Sequence, residues 1–78
     1  MNYQEAVGKR LQELLAENNI SIYELYKRSN LSKSTVYRAV HAENKDINIH
    51  TIYMLCKGLD IELQEFFSSP LFLRAQNN

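Results

Sequence analysis

Apolar residues recur along this chain at helical spacing. Val7, Leu11, Leu14 and Leu15 share one face, and Ile49, Ile52, Cys56 and Leu59 repeat the three- and four-residue step further on. Nothing alternates with period two, so the pattern predicts no sheet. Polar punctuation then divides the chain. Asn2 and Glu5 form a cap and box for a first helix from about Tyr3 to Asn18, and Asn18-Asn19 ends it. Ser21 and Glu24 make a Ser-x-x-Glu box for a second helix, with Ile20 and Leu25 at the spacing of a hydrophobic staple. That helix stops near Ser29, because Asn30 tolerates left-handed backbone angles. Ser32 repeats the signal, with Leu31 and Val36 as staple and Thr35 at the box position, so a third helix starts just after it. Residues His41 to Ile47 read as a polar loop. Asn48 caps a fourth helix, where Ile47 and Ile52 have staple spacing. A last short helix carries Leu63, Phe66 and Phe67 and stops before Pro70, since the residue before proline disfavours helical angles. The expectation is an all-α, compact five-helix domain over residues 1–67, followed by a tail at 68–78.

The stretch from Ser21 to Val40, SIYELYKRSNLSKSTVYRAV, is therefore two short helices joined by a tight turn. That is a DNA-reading helix-turn-helix pattern. Charge divides along the same lines although the formal total is zero. Residues 27 to 45 hold Lys27, Arg28, Lys33, Arg38 and Lys45 against Glu43 alone, whereas each flank carries two basic residues against four acids. Positive charge gathered on the reading segment is the footprint of a phosphate-binding face.

Composition narrows the remaining choices. At 78 residues the chain is one domain with no material for a sensing module. The single Cys56 forms no internal disulfide and lies on an inward stripe, so it reads as a small buried hydrophobe. His41 and His50 lie in or beside the polar loop with no further metal ligand nearby and read as surface residues. No metal or cofactor is expected. The N-terminus lacks the features of a signal peptide, and no apolar run approaches a membrane span, so a soluble cytoplasmic protein is expected. Asn30-Leu31-Ser32 matches a glycosylation acceptor in form only, without secretion to give it meaning. No nucleophile-base set, paired carboxylate site or Gly-rich phosphate loop is visible, so an enzyme is not expected.

From Val7 to Phe67 the chain resembles the lambda-repressor-like, Cro-type helix-turn-helix family, also called XRE. The resemblance rests on VGKRLQELL as first helix, the Ser21-to-Leu25 opening, LSKSTVYR as recognition helix and INIHTIYMLCKGLDIELQEFF as closing pair, in that order and spacing. It implies a five-helix domain that binds operator DNA as a two-fold dimer and controls transcription. Five positions depart from the family. Ile22 stands where a glutamine usually touches a phosphate, Tyr26 where a small residue lets the recognition helix approach, and Asn30 where the turn usually has glycine. Leu15 and Val40 replace an arginine–glutamate pair, and losing both charges together leaves neither one buried and unpaired.

With Val36, Ala39 and Val40 turned inward beside Leu31, the third helix leaves Lys33, Ser34, Tyr37 and Arg38 on its outer face as base-reading candidates. Arg38 has the fork that pairs with guanine, and Lys33 reaches guanine acceptors as a point donor. Ser34 is permissive, and Tyr37 is open between a thymine methyl, a phosphate and covering its own neighbours. Thr35, Lys27, Arg28 and Lys45 are candidates for positioning the DNA backbone; Lys27 and Arg28 are adjacent and point differently, so at most one of them reaches it. Phe66, Phe67, Leu71, Phe72 and Leu73 put five large apolar residues within eight positions, more than one short helix buries. They are the expected two-fold homodimer interface, against the alternative that the tail folds back on its own domain. The function expected is a sequence-specific transcriptional regulator, in the repressor role, on a palindromic double-stranded site. The other reading is a protein-interaction module, such as an antitoxin-like partner, that keeps the fold and not the DNA.

Overall fold

The computed structural model describes residues 1–44 and 46–75. Among them the chain is all helical: α1 (Tyr3–Asn18), α2 (Ile22–Ser29), α3 (Lys33–Val40), α4 (Ile49–Leu59), α5 (Leu63–Phe66) and α6 (Leu71–Arg74). The caps explain these boundaries. The Asn2 side chain accepts from the Glu5 N–H at 2.8 Å while the Asn2 N–H donates to Glu5 at 2.9 Å, a complete box. Asn19, Asn30 and Asp60 then end α1, α2 and α4 in left-handed geometry with φ of 55°, 57° and 60°. Asn48 accepts from the Thr51 N–H at 2.8 Å to open α4.

Leu11, Leu14, Leu15, Leu25, Val36, Val40, Ile52, Leu55, Cys56, Leu59 and Phe66 fill one core. The outer elements follow from it, with α3 against both α1 and α2, α4 against α2, and α6 against α1. Two glycines mark close approaches of backbone. A Cβ on Gly8 would stand 2.9 Å from the Val40 carbonyl oxygen and 3.2 Å from that of Ala39, so α1 meets the end of α3 only without a side chain there. Gly58 brings α4 within similar reach of Leu25 and Ser29 of α2.

Two expectations need correcting. Ile49 is not on the buried stripe; it is 60% exposed and Leu55 is buried in its place. On a helix that turns about 100° per residue, Leu55 falls inside the sector of Ile52, Cys56 and Leu59, whereas Ile49 lies at its edge in the first turn. The chain beyond Phe67 also forms a sixth short helix. The rings of Phe66, Phe67 and Phe72 cluster with centroids 4.9–5.8 Å apart, seating α6 on α5. Arg10 of α1 closes this end by donating to the Phe66 carbonyl at 2.8 Å and the Glu65 carbonyl at 2.9 Å.

Burial pushes the Cys56 thiol up to about 11 from its ordinary 9.0, with nearby Arg10 pulling it partly back and Glu65 adding to the rise. The folded chain thus holds this proton more tightly than the unfolded chain. Its stabilising contribution is complete below pH 9 and is lost as pH rises through 11. Denaturant titrations of wild type and Cys56→Ala should therefore show their stability gap narrowing between those two pH values. Backbone geometry yields a second, opposed pair of outcomes. Gly8→Ala should cost about 1–2 kcal/mol, overpacking against fixed carbonyls outweighing the better helix propensity of alanine. Ala42, held at φ 57° just after α3, is a non-glycine residue in left-handed geometry. Ala42→Gly should raise stability by about 1 kcal/mol, which thermal unfolding of the two variants would measure.

Candidate DNA-binding face

Local hydrogen bonds set the α2–turn–α3 unit before tertiary packing orients it. Ser21 accepts from the Glu24 N–H at 3.0 Å, but the expected reciprocal half of this box is absent, because the Glu24 carboxylate takes the Arg28 guanidinium at 3.2 Å instead. Asn30 turns the chain, and Ser32 caps α3 by accepting from the Thr35 N–H at 3.2 Å. The Ser32 and Thr35 hydroxyls are also 2.7 Å apart, so the Thr35 hydroxyl belongs to the cap.

The inner face of α3 is fixed by Val36, Ala39 and Val40, all buried, with Leu31 packed at the core edge. Its far end is held by α1: the Gln12 side-chain amide donates to the Val40 carbonyl at 2.9 Å, beside the Gly8 approach. Leu15 and Val40 are both buried as an apolar set. A carbonyl that α3 leaves open at its C-terminus thus finds a partner on α1.

The outward side then carries the predicted reading residues. Lys33, Ser34 and Arg38 are exposed and Tyr37 is half-buried, its ring 6.4 Å from that of His41. Among the backbone-positioning candidates, Lys27 and Arg28 are exposed, with Arg28 tied to Glu24, and Thr35 is half-buried at the cap. Lys45 lies outside the described residues. The departure at Tyr26 resolves along the edge of α2: the side chain is half-buried, its ring 5.7 Å from that of Tyr23, and α2 still packs on α3. Leu25 and Ser29 occupy the buried side of α2 instead.

Over this framework the chain matches the model of the Cro/C1-type HTH DNA-binding domain across residues 10–70. The chain belongs to the Cro/C1-type helix-turn-helix family. As a Cro/C1-type domain it is a DNA-binding module, and the match runs from Arg10 through α2, α3, α4 and α5 to Pro70, leaving α6 beyond it. No curated protein and no solved structure matches the chain. No helix among the described residues is long and apolar enough to cross a membrane, and none of their His, Cys, Asp and Glu side chains gather into a metal site.

The apolar residues near the C-terminus separate by position. Phe66 is fully buried in its own core, and Phe72 and Leu71 are half-buried beside it. Phe67 at 39% and Leu73 at 90% exposure remain on the surface. Three contributors escaped sequence reasoning. Gln12 and Arg10 act on carbonyls twenty-eight and fifty-six residues away, a pairing that no local spacing encodes. Tyr23, 51% exposed as the second residue of α2, sits beside Lys27 and Lys33. Its place one residue after Ile22, on the outer side of an amphipathic helix, was the signal available.

Proposed function

We propose that this Cro/C1-type domain is a transcriptional regulator, acting as a repressor, that inserts α3 into the major groove of a palindromic operator as a two-fold dimer in the cytoplasm. The observation that supports this most is the division of α3 itself. One side is buried to the last few per cent through Val36, Ala39 and Val40, while Lys33, Ser34 and Arg38 stand clear on the other. A helix anchored on one face with cations and hydroxyls on the opposite face is built to meet an acidic, hydrogen-bonding groove. In this reading Lys33, Ser34, Tyr37 and Arg38 meet base edges. Lys27, Thr35 and Lys45 fix the backbone register, with Arg28 neutralising phosphate less because it is already paired with Glu24.

Dimerisation draws on Leu73 and Phe67, with Leu71 and Phe72 as the half-buried margin. An exposed leucine on a four-residue helix, with the exposed Phe67 on the same C-terminal segment, gains apolar burial from a second copy. The domain measures 32 × 22 × 19 Å, a size that suits two copies reading sites about 34 Å apart.

Selection from a random duplex pool should enrich a two-fold symmetric site. Titration should then show binding lost in Lys33→Ala/Arg38→Ala, and a wild-type salt slope of about −0.9 per neutralised phosphate. No enriched sequence and no binding at low salt would remove the regulator reading and leave a protein partner for the same face. Sedimentation of wild type should show a dimer that Leu73→Glu converts to monomer with unchanged helical content. Monomer alone at high micromolar wild-type concentration would remove the dimer.

A further inference from the structure

Lys33 is the first residue of α3, where its charge meets the positive end of the helix and gains nothing from it. A lysine side chain on an exposed first turn also carries much rotamer freedom, which is lost if its ammonium must stay at one base edge. The structure supplies a local answer to both. The Lys33 Nζ lies 5.8 Å from the ring centroid of Tyr23 on α2 and 5.7 Å from that of Tyr37 on α3. The ammonium is thus held between an aromatic face of the preceding helix and one from its own. Tyr23 is braced in turn by the half-buried Tyr26, 5.7 Å away with the rings tilted at 56°. Tyr37 leans toward His41 on the other side.

We propose that Tyr23 is a specificity-determining residue of the DNA interface, acting as a positioning residue. Its ring, with that of Tyr37, aims the Lys33 ammonium across the helix-turn-helix before DNA arrives. The inference rests on the base-reading role given to α3 above. It also gives Tyr26 a purpose: a small residue there would leave Tyr23 without its neighbouring ring. The Lys27 Nζ, 5.9 Å from the same Tyr23 ring, keeps a second cation at this end of the face. The attraction depends on the quadrupole of the ring and not on its hydroxyl, so phenylalanine should substitute and leucine should not.

The test compares Tyr23→Leu, Tyr23→Phe and Lys33→Ala on the duplex selected by wild type. Tyr23→Leu should weaken binding by about two- to fivefold and relax preference at the base pair that Lys33→Ala also relaxes. It should add nothing further in the Lys33→Ala background, and Tyr23→Phe should keep wild-type preference. In the free protein, NMR should find the Lys33 ε-methylene protons shifted upfield by the rings and returned toward ordinary values in Tyr23→Leu. Thermal unfolding checks that each variant stays folded, as its exposure implies. If wild type selects a site that depends on Lys33 but Tyr23→Leu leaves its preference intact, or if Tyr23→Phe loses as much as Tyr23→Leu, the positioning role is overturned while the base-reading role stands. If no site is selected, the base-reading role falls and this inference falls with it. An unshifted Lys33 in the free protein overturns the aromatic clamp independently of DNA.

Discussion

The eight residues of α3 are too few to hold a helix in water, so the element that presents the outer face exists only because it is seated on its neighbours. The closest part of that seat is backbone against backbone. Where Gly8 passes the Ala39 and Val40 carbonyls there is no room for a Cβ, and one turn along α1 the Gln12 amide reaches the same Val40 carbonyl. These contacts fix both the depth and the direction of α3. Once they are set, Val36, Ala39 and Val40 enter the core, and Lys33, Ser34 and Arg38 have nowhere to go but outward. The geometry of the outer face is therefore a consequence of the inner one.

Electrostatics follows the same partition. The chain is neutral overall, and a neutral domain has no long-range attraction for a polyanion from its total charge. What it has is segregation along the chain: residues 27 to 45 carry five basic side chains against one acid, while residues 1–26 and 46–78 each carry two against four. Glu24, an acid on α2, is occupied by Arg28. Arg10, the cation of α1 that points inward, is spent on the carbonyls at the end of α5 and takes no part in the outer face. Packing and charge thus select one side of the molecule together.

Features governed by neighbours in sequence were readable from the residues. The caps at Asn2, Ser21, Ser32 and Asn48, the left-handed stops at Asn19 and Asn30, and the inward set of α3 all follow from hydrogen bonds and side-chain steps within four residues. Features decided by competition between local partners, or by distant ones, were not. The Ser21 box fails on one side because Arg28 competes for Glu24, and Ile49 is exposed because its neighbours on α4 already fill the sector facing α2. The short helix α6 depends on Phe72 finding Phe66, a contact that the proline before it gave no reason to expect. Tyr23 joins the outer face only because the turn brings Lys33 back beside it. Of the outer face, then, the α3 residues were legible one by one, and the α2 contribution required the crossing of two helices.

On the proposed reading, the outward side of α3 is the surface that meets DNA. The most direct measurement is an amide chemical-shift map of the uniformly labelled chain titrated with the selected duplex. Perturbations confined to α2, to α3 and to the loop after it are the expected result, with α4 to α6 unmoved apart from residues at a dimer contact already present in the free protein. Perturbations concentrated on α4 and α5, with Lys33, Ser34 and Arg38 unaffected, would contradict the account.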